Sequence, residues 1–409
     1  MTHIRQGLRS GQWLTASRAR GYSMILLGLC AIAMAGWIGV SDGLIDRNGK
    51  PLGTDFSNVY AAGTLTWQGR PAEAYEPALQ HAAERAVFGG REVPFYGWHY
   101  PPFFIAIAVL VASLPYGWGL AIWLAASLAA YLAAIRAILP RPETLLVAAA
   151  FPAVFVNIGH GQNGFFTAAL LGGALHLLDR RPWLAGVLIG CLAYKPQFGV
   201  LIPIVLLAGG RWSTIGAAIV IVAALVAVSF VTLGGGVWHA FANSMNFTQT
   251  VVLEQGGTGW EKIQSVFSAV RMWGASVHTA YAIQIALALM LASSLVWLWR
   301  SDAAFELKAS ALATGSLLAT PYVLDYDLVV LAVAVAFFAR HGLSRGFRDH
   351  EITLLAAAWI MPLLSRSIAG VTGIPLGLLV LLTFYVFTLR RAVRDRAGSP
   401  VGAHRIAQA

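Results

Sequence analysis

A succession of apolar runs is the feature that most constrains what this chain can fold into. An uncharged run of about 20 residues is long enough to cross a bilayer as a helix. Only 11% of the residues are charged, whereas soluble domains carry about 25%. The mean hydropathy of +0.68 agrees. The sequence therefore predicts an all-α polytopic membrane protein. The runs are 22–40, 100–114, 117–138, 144–158, 164–178, 183–194, 197–208, 213–233, 277–299, 305–320, 327–339, 351–367 and 371–389.

The positive charge lies in short segments that flank these runs. This is the positive-inside pattern of membrane proteins, and it places both termini in the cytoplasm. The net charge of +10 is therefore not a nucleic-acid signal. Two cytoplasmic ends require an even number of crossings, so about 12 transmembrane helices are expected. We expect 144–158 to be the run that is broken, at Pro152, and that enters the membrane without crossing it.

The runs and their flanks divide the chain into three parts. We expect a cytoplasmic N-terminal tail at 1–21, a membrane domain at 22–390 and a cytoplasmic C-terminal tail at 391–409. The first run lacks a convincing cleavage site, which favours a retained helix over a signal peptide. Two long loops, 41–99 and 234–276, face outward.

The first outer loop has the sequence of a folded segment. Ser57 to Trp67 and Pro77 to Phe88 both have the apolar pattern of a short amphipathic helix. Aromatic side chains of the kind that lie at the headgroup level accompany them. We expect interfacial helices that cover a lateral cavity, with the Gly-rich second loop as a mobile rim.

Asp55 lies in this first outer loop, about fifteen residues beyond the first apolar run. A carboxylate at the membrane–water boundary can take a proton from an acceptor hydroxyl while the other substrate stays in lipid. Thr54-Asp55 would equally suit the N-cap of the helix that follows. Local sequence leaves both interpretations open.

Polar residues also interrupt the apolar runs at three places that open to the same outer face. Such residues are costly at membrane depth and usually belong to a site. Capping of neighbouring helices is the alternative for most of them. Lys195 has the stronger functional pattern, because the positive-inside rule would not place it there, and binding of a lipid phosphate is its simplest role. The interruptions are His160-Gly161-Gln162-Asn163, Lys195-Pro196-Gln197 and Tyr322 to Asp327 with Asp325 between them.

Short motifs in a fixed order make the chain resemble glycosyltransferase family 87, from about residue 20 to residue 390. The resemblance implies a GT-C membrane fold and a lipid-linked sugar phosphate as donor, with Asp55 as the presumed base. Relatives often carry histidines where this chain has Tyr322, Asp325 and Asp327. The motifs are Gly53-Thr54-Asp55-Phe56-Ser57, His99-Tyr100-Pro101-Pro102, Gly161-Gln162-Asn163-Gly164, Lys195-Pro196-Gln197, Gln264-Ser265 with Arg271, and Thr320-Pro321-Tyr322.

The residues and the resemblance together give an expected mechanism. Asp55 activates the acceptor hydroxyl, and a single base with one in-line displacement means inversion. Lys195, with Arg271 or His160, binds the donor phosphate. The remaining candidates would bind the sugar or the acceptor. They are His99, Tyr100, Gln162, Asn163, Gln197, Gln264, Tyr322, Asp325 and Asp327.

We expect transfer of a hexose, with mannose as the first candidate, from a polyprenyl-phosphate sugar to a glycolipid or glycan. The place would be the periplasmic face of a bacterial inner membrane, among membrane lipids. No metal site, cofactor or nucleic-acid partner is expected. One alternative is a transporter or flippase of a lipid-linked sugar, although no internal repeat is visible. A membrane O-acyltransferase would need a site centred on His99, His160 or His176.

Overall fold

The computed structural model describes residues 2–397, and within them the chain is helical with no β-strand. The predicted all-α fold is confirmed. The α-helices are α1 (Thr2–Ser10), α2 (Ala16–Gly39), α3 (Phe56–Trp67), α4 (Pro77–Val87), α5 (Ile105–Ala112), α6 (Tyr116–Ile138), α7 (Thr144–Ala149), α8 (Pro152–His160), α9 (Gly164–Leu177), α10 (Pro182–Cys191), α11 (Ile202–Ala208), α12 (Trp212–Leu233), α13 (Gly235–Phe247), α14 (Val266–Met272), α15 (Val277–Arg300), α16 (Phe305–Ala319), α17 (Leu331–Arg345), α18 (Glu351–Thr372) and α19 (Leu376–Ala397).

Within the described residues, seven helices are long and apolar enough to cross a membrane. They are α2, α6, α12, α15, α18, α19 and α17 together with the 3₁₀ turn Asp325–Val330 that leads into it. Most of the other predicted runs form shorter helices, such as Gly164–Leu177 with 14 residues. At 1.5 Å per residue such a helix reaches about 21 Å, less than the roughly 30 Å hydrocarbon core. The polytopic membrane class is thus confirmed, and several runs are shorter than a full span.

The chain breaks near Pro152, where the sequence predicts an interruption. Helix α7 ends at Ala149 and α8 begins at Pro152, with Phe151 extended between them. Proline fits the first turn of α8 because its missing N–H would have no helical partner there. Whether this segment crosses the membrane stays a prediction.

The helices of the first outer loop lie within one residue of their predicted ends. Helix α3 is largely buried, with eight of its twelve residues buried. It packs so closely on α5 that a Cβ at Gly63 would overlap the carbonyl of Ala108. Helix α3 is therefore firmly packed against the rest of the protein, and its position at the membrane surface stays a prediction.

The second outer loop is also built from short helical pieces. Helix α13 continues into a π-helical turn, Thr248–Glu254, and a 3₁₀ turn at Trp260–Lys262 precedes α14. The backbone N–H of Gln264 donates to the Val323 carbonyl at 2.7 Å. This bond joins the loop to the segment that precedes α17.

The predicted cytoplasmic tails lie together at one end of the molecule. Helix α2 begins at Ala16, inside the predicted tail 1–21, and α19 extends past residue 390 to Ala397. Arg9 of α1 contacts Asp349 at 2.6 Å, and Arg391 of α19 contacts Glu351 at 2.7 Å. Residues 398–409 of the predicted tail 391–409 lie outside the described residues.

Candidate active site

Asp55 directly precedes α3, yet its side chain makes no capping hydrogen bond. Its backbone is in the α-region, unlike the extended conformation of most N-cap residues. Its carboxylate accepts a hydrogen bond from Gln162 Nε2 at 3.0 Å and lies 4.0 Å from His160 Nδ1. The capping alternative is therefore wrong, and the carboxylate faces a polar cluster.

Gly161 allows α3 and the end of α8 to approach each other. It ends α8 with φ at 60°, in the left-handed region. A Cβ there would lie 2.7 Å from Cβ of Phe56 and 3.0 Å from Cα of Gly53. The backbone N–H of Asp55 donates to the His160 carbonyl at 2.9 Å across this contact. The glycine thus places Asp55 beside His160 and Gln162.

The side chain of Gln162 is oriented by donors to its carbonyl oxygen. The Tyr100 hydroxyl donates to Gln162 Oε1 at 3.2 Å, and the Asn163 backbone N–H donates to it at 2.9 Å. With its oxygen occupied, the amide nitrogen points to Asp55. His160 Nδ1 is in turn 2.9 Å from the Thr54 hydroxyl. The network orients the Asp55 carboxylate through the Gln162 amide.

Asn157 fixes the turn that carries these residues. Its Nδ2 donates to the Gln162 carbonyl at 2.8 Å, and its Oδ1 accepts from the Gly164 N–H at 2.9 Å. Asn157 is fully buried, and sequence reasoning missed it. The signal that could have found it is an asparagine inside an apolar run.

Lys195 lies in a buried ion pair with Asp327. Its Nζ is 2.6 Å from Asp327 Oδ1, and the two side chains are 5% and 1% exposed. Asp327 Oδ2 accepts the Leu324 backbone N–H at 3.1 Å, so the expected capping role of this aspartate is present as well. The ring of Tyr326 lies 5.2 Å from Lys195 Nζ and 5.6 Å from the His160 ring, and it separates this pair from the Asp55 cluster.

Among the described residues, Asn163 is the buried predicted site residue whose whole side-chain amide lacks a partner. It is 1% exposed, and neither Oδ1 nor Nδ2 has a hydrogen bond there. Buried amide groups are rarely left unpaired in native proteins, and a ligand is one way to satisfy them. Sugar hydroxyls both donate and accept, which matches an amide with both functions free.

Three predicted residues bond to groups of the second outer loop, 234–276. His99 Nδ1 is 2.7 Å from the Thr248 hydroxyl, and burial lowers the pKa of His99 to about 4. Gln264 Nε2 donates to the carbonyls of Glu261 and Lys262. Arg271 donates to the Ala275 and Glu254 carbonyls, and its guanidinium lies over the Trp260 ring.

The remaining predicted residues have fewer contacts. Gln197 is half-buried in the turn after Lys195. The Tyr322 backbone N–H donates to Thr320 Oγ1 at 3.1 Å. Asp325 is buried, accepts the Tyr326 N–H and faces Arg366, a residue that sequence reasoning missed.

Glu84 of α4 is a second carboxyl group near Asp55 that sequence reasoning missed. It is fully buried, and its Oε2 accepts the Tyr96 backbone N–H at 3.1 Å. Burial is the main cause that raises the pKa of Glu84 to about 9, and the negative charge of Asp55 adds to it. At neutral pH this pKa keeps Glu84 in its neutral acid form.

A cavity of about 1120 Å³ lies beside the outer loop helices. Tyr60, Thr64 and Trp67 of α3 line it, together with residues of α4 and the start of α6. Asp55, His160 and Gln162 do not contribute to its lining. Within residues 2–397, no group of three His, Cys, Asp or Glu residues is arranged to hold a metal ion.

The comparisons with known proteins bear on this cluster directly. Residues 98–321 match the sequence model of glycosyltransferase family 87, which is more than half of the chain. The match contains the Tyr100, Gln162 and Lys195 motifs; Asp55 precedes it and Asp325 follows it. No curated protein and no solved structure matches the chain.

Proposed function

Since the chain belongs to glycosyltransferase family 87, we propose that this membrane glycosyltransferase uses a polyprenyl-phosphate hexose as donor. Mannose is the first candidate for the sugar, and a glycolipid or glycan hydroxyl is the acceptor. The reaction takes place at the periplasmic face of a bacterial inner membrane. The observation that carries the proposal is the Asp55 carboxylate, which is not a helix cap and which Gln162 holds in a polar cluster between α3 and the end of α8.

Asp55 acts as the general base. The acceptor oxygen attacks the anomeric carbon and forms a new C–O bond, while its proton passes to Asp55. The bond between the anomeric carbon and the phosphate oxygen breaks, and its electron pair leaves with polyprenyl phosphate. Such a base is typically worth on the order of 100- to 10,000-fold in rate.

The surroundings of the other carboxyl groups favour inversion. Retention usually needs a second carboxylate as nucleophile. Asp327 is occupied by Lys195, Asp325 faces Arg366, and Glu84 is held neutral by burial. In this proposal the ion pair between Lys195 and Asp327 holds the turn after α10 against the turn that leads into α17. The unpartnered amide of Asn163 binds sugar hydroxyls.

The test is sugar transfer by the purified protein in nanodiscs, with a panel of radiolabelled polyprenyl-phosphate sugars and membrane lipid extract. We expect Asp55→Asn to reduce transfer at least 100-fold while donor binding persists. Asp42→Asn is the matched control, because Asp42 lies in the same loop, is 84% exposed and pairs only with Arg91 among the described residues. Full activity of Asp55→Asn would exclude the assignment.

The same preparation tests the transporter alternative. The discontinuous helices α7 and α8 are a feature that transporters share. Failure of transfer with every donor, combined with protein-dependent movement of a labelled lipid across a vesicle bilayer, would favour transport over transfer.

A further inference from the structure

Arg366 lies in the outer part of a membrane helix, where cations are rare. Helix α18 starts at Glu351, whose partner Arg391 belongs to the cytoplasmic end. Arg366 follows 15 residues later, which is about 22 Å along the helix at 1.5 Å per residue. The positive-inside rule does not account for an arginine there, and ionisable residues in such helices usually serve a site.

The guanidinium of Arg366 points to the candidate active site but makes no hydrogen bond to any described residue. Its Nη1 lies 3.7 Å from Asp325 Oδ2, too far for a hydrogen bond. The Arg366 side chain is 48% exposed, whereas the Asp325 side chain is 4% exposed. Lys262 and His160 are also close enough to attract the Asp325 charge. The guanidinium therefore has donors available for a second anion.

Two of the cations that the sequence assigns to the donor phosphate, Lys195 and Arg271, are already occupied. The Lys195 ammonium is 2.6 Å from Asp327 in a buried pair. Two nitrogens of Arg271 donate to backbone carbonyls, and its face lies against Trp260. A phosphate would have to displace these contacts. At Arg366 it would bind beside Asp325, whose contact with the guanidinium is longer than a hydrogen bond.

A phosphate monoester or diester on a lipid suits this arrangement chemically. A planar guanidinium binds two phosphate oxygens at once, and such charge-assisted bonds are among the strongest in proteins. Two lipids could supply the group, the sugar donor or a bulk phospholipid whose headgroup an arginine reaches from within the bilayer. Asp325 favours the donor, because it holds the guanidinium toward His160 and the site. Glu261, near Gly370 on the next turn of α18, limits the excess of positive charge.

We propose that Arg366, assisted by Lys262, binds the phosphate of the lipid-linked donor, and that Asp325 orients the guanidinium while the phosphate is absent. The inference rests on the proposed function, since it names the phosphate subsite of that reaction. As the bond to the sugar breaks, negative charge builds on the leaving phosphate, and Arg366 stabilises it. Release of polyprenyl phosphate returns the guanidinium to Asp325.

The test measures donor kinetics and, separately, the binding of sugar-free polyprenyl phosphate. We expect Arg366→Gln to raise the donor KM and the Kd for polyprenyl phosphate about 10- to 100-fold, as for the loss of a charge-assisted bond. Arg366→Lys should recover part of the lost affinity, because it restores the positive charge but not the two parallel N–H donors of the guanidinium. Arg70→Gln is the matched control, since Arg70 is also half exposed on the outer side and pairs with a carboxylate, Glu73.

The two arms separate the possible failures. Unchanged Kd for polyprenyl phosphate in folded Arg366→Gln would overturn the inference. Unchanged Kd together with loss of copurifying phospholipid would identify a bulk-lipid contact and overturn it too. If the wild type transfers no sugar from any donor, the proposed function fails. The binding arm would still decide whether Arg366 holds a lipid phosphate.

Discussion

The two ends of this molecule both carry clusters of charged side chains, but they pair their charges differently. At the end that is expected to be cytoplasmic, Arg391 is 2% exposed and bonds to Glu351 and Asp395 at 2.7 and 2.8 Å. Asp395 also accepts from His341 and Arg348. At the outer end, the Asp55–His160 and Asp325–Arg366 separations are 4.0 and 3.7 Å. Tight pairs have no capacity left for a ligand, whereas loose pairs keep donors and acceptors available.

The difference separates charges that hold the helices together from charges that serve chemistry. The Arg391 cluster joins the ends of α17, α18 and α19, and each guanidinium nitrogen of Arg391 donates a hydrogen bond. The outer cluster contains an unpaired amide, Asn163, and a carboxylate, Asp55, that accepts from a neutral donor. Substitutions at the two ends should therefore affect different measurements.

The largest effect on stability is expected for Arg391→Met. Removal of the guanidinium leaves Glu351 buried without its partner, and breaking a buried pair in this way costs about 3–5 kcal/mol. The upper end applies, because Arg391 also bonds to Asp395 and the Gly346 carbonyl. Chemical unfolding in detergent measures the loss. Arg390→Met, at an exposed neighbouring position, is the control. Loss of transfer per folded molecule in Arg391→Met would contradict the claim that this cluster serves stability alone.

Lys195 tests whether a tight pair can also lie within the site. Lys195→Met leaves the Asp327 carboxylate buried without its ion-pair partner. We expect the free energy of unfolding to fall by about 3 kcal/mol, since a single ion pair is lost. The double variant Lys195→Met/Asp327→Asn should recover stability and keep transfer within about tenfold of the wild type. If the stable double variant transfers no sugar, Lys195 binds the phosphate, as its sequence context predicts.

Gln162→Leu should have a smaller effect, confined to transfer. The substitution keeps the size of the side chain but removes the Nε2 donor that orients Asp55. We expect kcat to fall about 10- to 100-fold with little change in donor KM, because the base is present but no longer held. Gln284→Leu is the control, since Gln284 is also a buried glutamine, but its amide bonds to the backbone of Phe267 and Leu318. A rise in donor KM without loss of kcat would instead make Gln162 a sugar ligand.

The sequence predicts the helices and the candidate residues better than it predicts which residues meet. The ends of α3 and α4 are within one residue of the prediction, because an apolar pattern and its flanking turns are local signals. The pairing of Lys195 with Asp327 joins residues 132 positions apart, and no local pattern shows it. Arg366 was missed because it lies within a run interpreted only as a membrane span. The close packing of α3 on α5 was missed because it depends on the absence of a side chain at Gly63.

Near pH 5, Glu84→Gln is expected to give the smallest effect on stability, and it concerns a charge that the folded protein avoids altogether. Burial raises the pKa of Glu84 to about 9, against 4.5 in the unfolded chain, so between these values the unfolded state binds fewer protons. The free energy of unfolding of the wild type should therefore fall as pH rises through this window. The Glu84→Gln variant lacks this titration, so its stability relative to the wild type should increase by about 1.4 kcal/mol per pH unit between about pH 5 and pH 8. Glu76→Gln, at the exposed start of α4, is the control. Parallel pH profiles for Glu84→Gln and the wild type would mean that Glu84 is ionised in the folded protein. A second charged carboxylate would then lie beside Asp55, and the argument for inversion from a single base would lose its support.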